Sequence, residues 1–143
     1  MWTRLINKPA LNIIYLKHKE TSGKLPTSEY DLFDENIIVG KIQIRHKPSH
    51  GAGIPESMSS HIYYEIAPEF RQRGYGKQIL ALGLEKAAEI GLEQIIITCT
   101  DDNIGSKKII ENNGGTFIES AIIPGENKRM LKYRIILKNP QQT

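Results

Sequence analysis

The chain has little of what marks a secreted or membrane-embedded protein. Cys99 is the one cysteine among 143 residues, so no internal disulfide can form and a reducing, cytoplasmic setting is expected. No apolar run approaches the roughly 18 residues that a bilayer-spanning helix needs. The start, Met1-Trp2-Thr3-Arg4, opens no apolar segment with a cleavage site, so export is not expected. A strong charge bias is missing too: 19 Lys and Arg against 16 Asp and Glu leave a formal charge of +3. That excess suits a small anionic ligand but falls short of the dense basic stripe of a nucleic-acid protein. A basic RNA-associated domain, which would bind in a strongly salt-dependent way, fits worst, because no aromatics interleave with the basic residues. Neither nucleic acid nor membrane is an expected partner.

Clusters of metal ligands are also lacking. The histidines are His18, His46, His50 and His61. His46 and His50 are four apart, but Pro48 between them argues against the helix that would align them. They read as solvated loop residues, and no metal is expected.

What is present is the composition of one soluble α/β domain, 39% hydrophobic and 24% charged, long enough to bury one core. Residues 1–29 carry little pattern beyond an apolar strand at 11–16, and residues 17–24 read as polar loop. Residues 30–33 and 37–45 flank the turn signal Asp34-Glu35-Asn36, which predicts a β-hairpin. Ile38, Gly40, Ile42 and Ile44 alternate, so one face should be buried, and Gly40 marks a candidate bulge. Residues 47–60, rich in Pro, Gly and Ser, predict a flexible surface loop. A strand at 62–67 stops at Pro68. Helical spacing over 77–90 buries Ile79, Leu80, Gly83, Leu84, Ala87 and Ala88 and ends at Gly91.

The run Ile95-Ile96-Ile97-Thr98-Cys99-Thr100 predicts a central strand covered on both faces. Asp101-Asp102-Asn103 offers N-caps for a helix over 104–112, closed by Gly114-Gly115. Two strands, 116–123 and 130–137, follow as an antiparallel pair around Pro124-Gly125-Glu126-Asn127, and the tail 139–143 should fray. The middle strand–helix–strand unit implies a right-handed crossover with locally parallel strands, so the sheet should be mixed.

Gly74-Tyr75-Gly76 stands after a strand and opens a helix, where free first-turn amides and the helix dipole favour an anion. Arg71, Arg73 and Lys77 add positive charge around it. A solvated tight connection is the plainer alternative. Gly51-Ala52-Gly53, with no such setting, reads as loop. The spacing Arg71-x-x-Gly74-x-Gly76 matches neither G-x-G-x-x-G nor the P-loop. It resembles instead the acyl-CoA-binding motif of the GNAT superfamily of N-acetyltransferases, Arg/Gln-x-x-Gly-x-Gly/Ala. Ile66-Ala67-Pro68-Glu69-Phe70-Arg71 resembles the strand and loop before that motif, Asp102-Asn103-Ile104-Gly105-Ser106 the start of the following helix, and Asn112-Asn113-Gly114-Gly115 its end. The likeness covers about residues 30–137.

The resemblance implies an α/β (α+β) fold: a mixed, mostly antiparallel sheet with a central strand–helix–strand unit and helices on both faces. It implies transfer of an acetyl group from acetyl-coenzyme A to a primary amine of a small molecule or protein, by direct attack, in a monomer or homodimer. Backbone groups of Ile66 and Ala67 would pair with the pantetheine arm. Amides of Gln72, Arg73, Gly74, Tyr75, Gly76 and Lys77, next to Arg71, would hold the diphosphate. Asn103 and Ser106 would lie against the cofactor, although Asn103 also reads simply as a helix cap.

Many relatives carry a Tyr in the second helix as acid for the thiolate; the matching position here is Ile110. Relatives also place one or two helices between their first two strands, where this chain has only residues 17–27. These departures keep a second reading open, an acyl-CoA-binding module without turnover. Acid–base candidates on the strand before the turn are His61, Tyr64 and Glu65. Alternation puts His61 and Glu65 on one face and Tyr64 on the other. Each also reads as structural, and Cys99 reads as core.

Overall fold

Tyr30, Leu32, Ile42, Ile44, Ile62 and Ile66 recur at alternate positions of three neighbouring segments and are all buried, as one covered sheet face requires. A computed structural model of the protein describes residues 14–19 and 26–137. The apolar positions 11–13 and the tail expected to fray lie outside the described residues. The three segments are β2 (Thr27–Asp34), β3 (Ile37–Ser49) and β4 (Ser60–Ile66). With β1 (Ile14–Lys19) they form an antiparallel sheet in the order β1-β2-β3-β4. The polar stretch from Lys17, expected as loop, is strand as far as Lys19. Lys17 and Lys19 face Asp31 and Glu29 across the ladder, and Lys19 Nζ lies 3.6 Å from Asp31. Such cross-strand charge pairs keep a polar face in register.

The expected hairpin is β2–β3, but the phase of β3 changes within it. Gly40, Ile42 and Ile44 are buried, whereas Ile38 is 51% exposed and Val39 is buried instead. Leu32 faces Gly40 and Phe33 faces Ile38, so Val39 is the extra residue of a bulge beside the glycine.

Residues 47–60 are anchored rather than free. β3 continues to Ser49, and a 3₁₀ turn over Glu56–Met58 drives Met58 into the interior at 1% exposure. Arg45 Nη1 donates to the carbonyls of Ser49 and Ser60, both at 3.3 Å. Lys132 Nζ donates to the Ser57 carbonyl at 3.1 Å. One buried apolar side chain and these three hydrogen bonds together seat the stretch.

Helix α1 (Tyr75–Ile90) buries Ile79, Leu80, Gly83 and Ala87 against β1, β3 and β4. Gly83 permits the close approach, since a Cβ there would lie 2.4 Å from Ile42 Cδ1. Gly91 (φ 101) ends the helix: its amide reaches the Ala88 carbonyl and the Leu92 amide reaches Ala87, a Schellman closure. Then come β5 (Gln94–Thr100), α2 (Ile104–Asn112), β6 (Thr116–Ile122) and β7 (Arg129–Ile136). The last three strands form a second antiparallel sheet, β5-β7-β6. Helix α2 packs on α1 and β5.

The mixed α/β architecture is as expected, but the sheet is divided. β4 and β5 touch, yet no ladder joins them, because β4 pairs with β3 and β5 with β7. One side chain bridges the gap: the amide of Ile96 donates to His61 Nδ1 at 2.9 Å.

This bond requires an unprotonated Nδ1, and burial lowers the pKa of His61 from the ordinary 6.5. As pH falls, the unfolded chain takes up the proton first. The stability contributed by neutral His61 is therefore complete above pH 6.5 and is lost as pH falls below it towards the lowered folded value. We expect the urea midpoint to fall from about pH 7 to about pH 5, and His61→Asn to flatten that slope. Equal slopes for both proteins would refute the role.

Candidate active site

The site begins where β4 stops. Pro68 opens a 3₁₀ turn over Pro68–Phe70, with the Phe70 amide on the Ala67 carbonyl at 2.9 Å. Two left-handed residues, Gln72 (φ 61) and Gly74 (φ 87), then swing the chain into α1. No side chain caps this helix, and its first intrahelical bond runs from Gln78 to Gly74. The amides of Tyr75, Gly76 and Lys77 therefore precede the ladder and point out along the positive end of the helix dipole.

The two glycines have different reasons. A Cβ on Gly74 would meet nothing within 4 Å, so Gly74 serves its positive φ and leaves the space before the amides open. A Cβ on Gly76 would lie 2.6 Å from Ile109 Cδ1, so Gly76 lets α1 sit against α2. The turn is braced on its other side by Tyr75, whose hydroxyl donates to Asp34 in the β2–β3 hairpin and whose ring meets Phe70 edge-on. Arg73 lies over the Phe70 ring, 5.7 Å from its centroid.

Between the turn, the end of β4 and the start of α2 lies a cavity of about 510 Å³. Its walls include Tyr64, Glu65, Ile66, Arg71, Gln72, Tyr75, Gly76, Asn103 and Ser106. Arg73 and Lys77 are exposed beside the turn but outside the cavity lining. Arg71 Nε donates to the Ile66 carbonyl at 3.0 Å, fixing the guanidinium across the strand end. Asn103 caps α2, its Oδ1 accepting from the Ser106 amide at 3.1 Å, which leaves its amide NH₂ for a ligand. Both readings of Asn103 are thus compatible. Phe70, Gly105 and Ile109 also line the cavity. Ile109 lies three residues after Ser106 on one helix face, a spacing that could have singled it out.

The edge of β4 is the remaining wall. Ala67 donates to the Val39 carbonyl at 2.9 Å, so alternation turns the backbone groups of Ile66 and Tyr64 to the opposite edge, towards the gap before β5. Ala67 itself has its amide on Val39 and its carbonyl on Phe70. On that edge the Ile66 carbonyl accepts from Arg71 Nε, and no ladder partner faces the backbone of Tyr64.

Of the acid–base candidates, Tyr64 and Glu65 reach the cavity and His61 does not. Tyr64 Oη and Ser106 Oγ are 3.3 Å apart. Glu65 accepts from Tyr63 Oη at 3.2 Å and lies 3.8 Å from Lys41 Nζ. It also lines a second cavity of about 280 Å³ on the outer face of the first sheet, with Asp31, Ile38, Lys41 and Pro68. Ile110 is fully buried and offers no proton. Burial pushes the Cys99 thiol up, away from thiolate chemistry. Among the described residues no group of three or more His, Cys, Asp or Glu could hold a metal, and no helix is long and apolar enough to cross a membrane.

The profile of the acetyltransferase (GNAT) domain matches residues 14–116, well over half of the chain. The chain belongs to the GNAT family. No curated protein matches it in sequence. Its fold is similar to that of the ribosomal L7/L12 α-N-protein acetyltransferase RimL, solved with coenzyme A, at 20% identity and a TM-score of 0.61 over 79% of this chain and 63% of that one. It is likewise similar to yncA of Salmonella typhimurium, solved with acetyl-CoA, at 12% identity and a TM-score of 0.63 over 78% and 65%. A chimera of the Vibrio cholerae spermidine N-acetyltransferase SpeG and hSSAT aligns at 15% identity and a TM-score of 0.61 over 77% and 67%. This GNAT domain thus spans less than two thirds of the first two of these structures.

Replacing Gly74 with Glu puts a carboxylate into the open space before the three free amides. With the fold retained by circular dichroism, we expect calorimetric affinity for coenzyme A to drop at least about tenfold. Gly76→Ala should act differently: its methyl meets the end of the Ile109 side chain and not the space before the amides, so stability should change by no more than about 1 kcal/mol. Unchanged affinity in Gly74→Glu would overturn the anion site.

Proposed function

We propose that the chain is an N-acetyltransferase that takes an acetyl group from acetyl-coenzyme A and gives it to a primary amine. The supporting observation is the junction of two features in one cavity: an uncapped helix start after a left-handed glycine, and a strand edge left without a ladder partner. The first suits a diphosphate and the second suits the amide-bearing pantetheine arm, with the Asn103 amide between them. Acetyl-coenzyme A enters as a substrate, and holding it in line with the amine supplies much of the rate.

Glu65 is the group we assign to the acceptor side. Its carboxylate lines both the cofactor cavity and the outer cavity, so an amine entering from the outer face meets it before reaching the thioester. There it accepts the proton that an ammonium must lose before it can attack. RimL acts on a ribosomal protein and SpeG on spermidine by their names, which is in keeping with either a protein or a small-molecule amine. The setting we propose is cytoplasmic, for a monomer or homodimer. Ile110, buried and without a proton, favours the one competing reading, an acyl-CoA-binding module without turnover.

A thiol-release assay over a panel of small amines and amino-terminal peptides separates the two. We expect acetyl-CoA consumption with at least one amine, and Glu65→Gln to lower kcat about 100-fold with coenzyme A affinity unchanged. Tight coenzyme A binding without turnover on any amine leaves only the binding module. A Glu65→Gln enzyme at wild-type kcat removes Glu65 from the chemistry.

A further inference from the structure

Thioester aminolysis needs a proton at sulfur. When the tetrahedral adduct collapses, the C–S bond breaks, sulfur leaves with the electron pair, and the leaving thiolate is stabilised by a positioned acid. Helix α2 does not supply one at Ile110, which is fully buried in the core. Any acid must come from another position that lines the cavity. Tyr64 and Ser106 are the hydroxyls that line it besides Tyr75, and Tyr75 is committed to Asp34 at the turn end.

We propose that Tyr64, on β4, is the proton donor to the coenzyme A thiolate, with Ser106 as its hydroxyl partner. This deepens the acetyltransferase reading and rests on it. Three observations support the assignment. Tyr64 lies on the strand whose free edge receives the extended arm, two residues before Ile66 and farther along β4 from the diphosphate turn. Its ring packs against the core, so the hydroxyl is held in place rather than swinging in solvent. Its hydroxyl lies 3.3 Å from Ser106 Oγ at the start of α2, which spans the gap from β4 to the second helix.

Burial raises the pKa of Tyr64, and the Ser106 hydrogen bond works against that rise, so the phenol holds its proton at neutral pH. The proton balance is closed. Nitrogen adds to the carbonyl carbon; the C–S bond then breaks as the carbonyl re-forms. The Tyr64 proton passes to sulfur, and the phenolate regains one from Ser106 Oγ, which is refilled from water. Nitrogen loses two protons, one as the ammonium before attack and one from the adduct. Glu65 takes each in turn and passes it to water, and one of them offsets the proton that water returns to Ser106, so one proton is released in all. The net products are the acetylated amine and the free thiol.

The test compares wild type with Tyr64→Phe and Ser106→Ala, each checked for fold by circular dichroism. The first measurement needs no turnover: the thiol of bound coenzyme A is titrated by ultraviolet difference against desulfo-coenzyme A. A phenol that hydrogen-bonds the thiolate lowers the thiol pKa, so Tyr64→Phe should raise it by about one unit at unchanged coenzyme A affinity. Kinetically, Tyr64→Phe should lower kcat about 100-fold with little change in KM for acetyl-CoA, and abolish the basic limb of the kcat–pH profile. Ser106→Ala should lower kcat less and keep that limb. An unchanged thiol titration in Tyr64→Phe overturns the proposal, as does a wild-type kcat and pH profile. If wild-type protein binds no coenzyme A, the acetyltransferase reading fails and this assignment falls with it; if it binds but Tyr64→Phe changes nothing, only this assignment falls.

Discussion

The structure depends on a hydrogen-bond ladder that is not made. β4 and β5 lie side by side, each already paired on its far edge, and a single bond from the Ile96 amide to His61 spans the closed end of the gap. A backbone edge left unpaired inside a protein is costly unless something polar reaches it. Here the unpaired edge opens onto a cavity, so water or a ligand can satisfy it. Two parts of the site follow from this gap: the edge of β4 that carries the Ile66 and Tyr64 backbone groups, and the room between the turn and α2.

The helix start supplies the second half of the design. A left-handed residue at Gly74 lets the chain reverse without a capping side chain, and the amides a cap would have used remain outward. Tyr75 then ties this turn to Asp34, more than forty positions earlier on the hairpin. The helix start is thus referenced to the first sheet, while Asn103 and Ser106 are referenced to β5 through α2. The cavity is where those two frames meet.

Much of this was legible in the residues. The glycine turn, the helix with Gly83 and Ala87 on its packed face, Asn103 as a cap and the buried run at Ile95-Ile96-Ile97 each follow from local rules of spacing and capping. What was not legible depends on partners distant in sequence. Alternation correctly predicts that one face of β3 is buried, but a bulge at Val39 exists only against Leu32 and Phe33, and it expels Ile38. Met58 looks like loop until the 3₁₀ turn and Arg45 seat it. His61 reads as an acid–base candidate because it lies on the strand before the turn, yet the second sheet covers that end of β4 and claims its lone pair. The division of the sheet itself has no local signature, since β4 and β5 each read as ordinary strands.

Gly76 joins two parts of the site that could otherwise have changed independently. Ile109 Cδ1 occupies the space a side chain at 76 would need, so any larger residue there must displace a side chain of the helix carrying Asn103 and Ser106. A substitution that shifts one helix shifts the other. The shape of the turn and the placement of the α2 hydroxyl are therefore mechanically linked through Ile109.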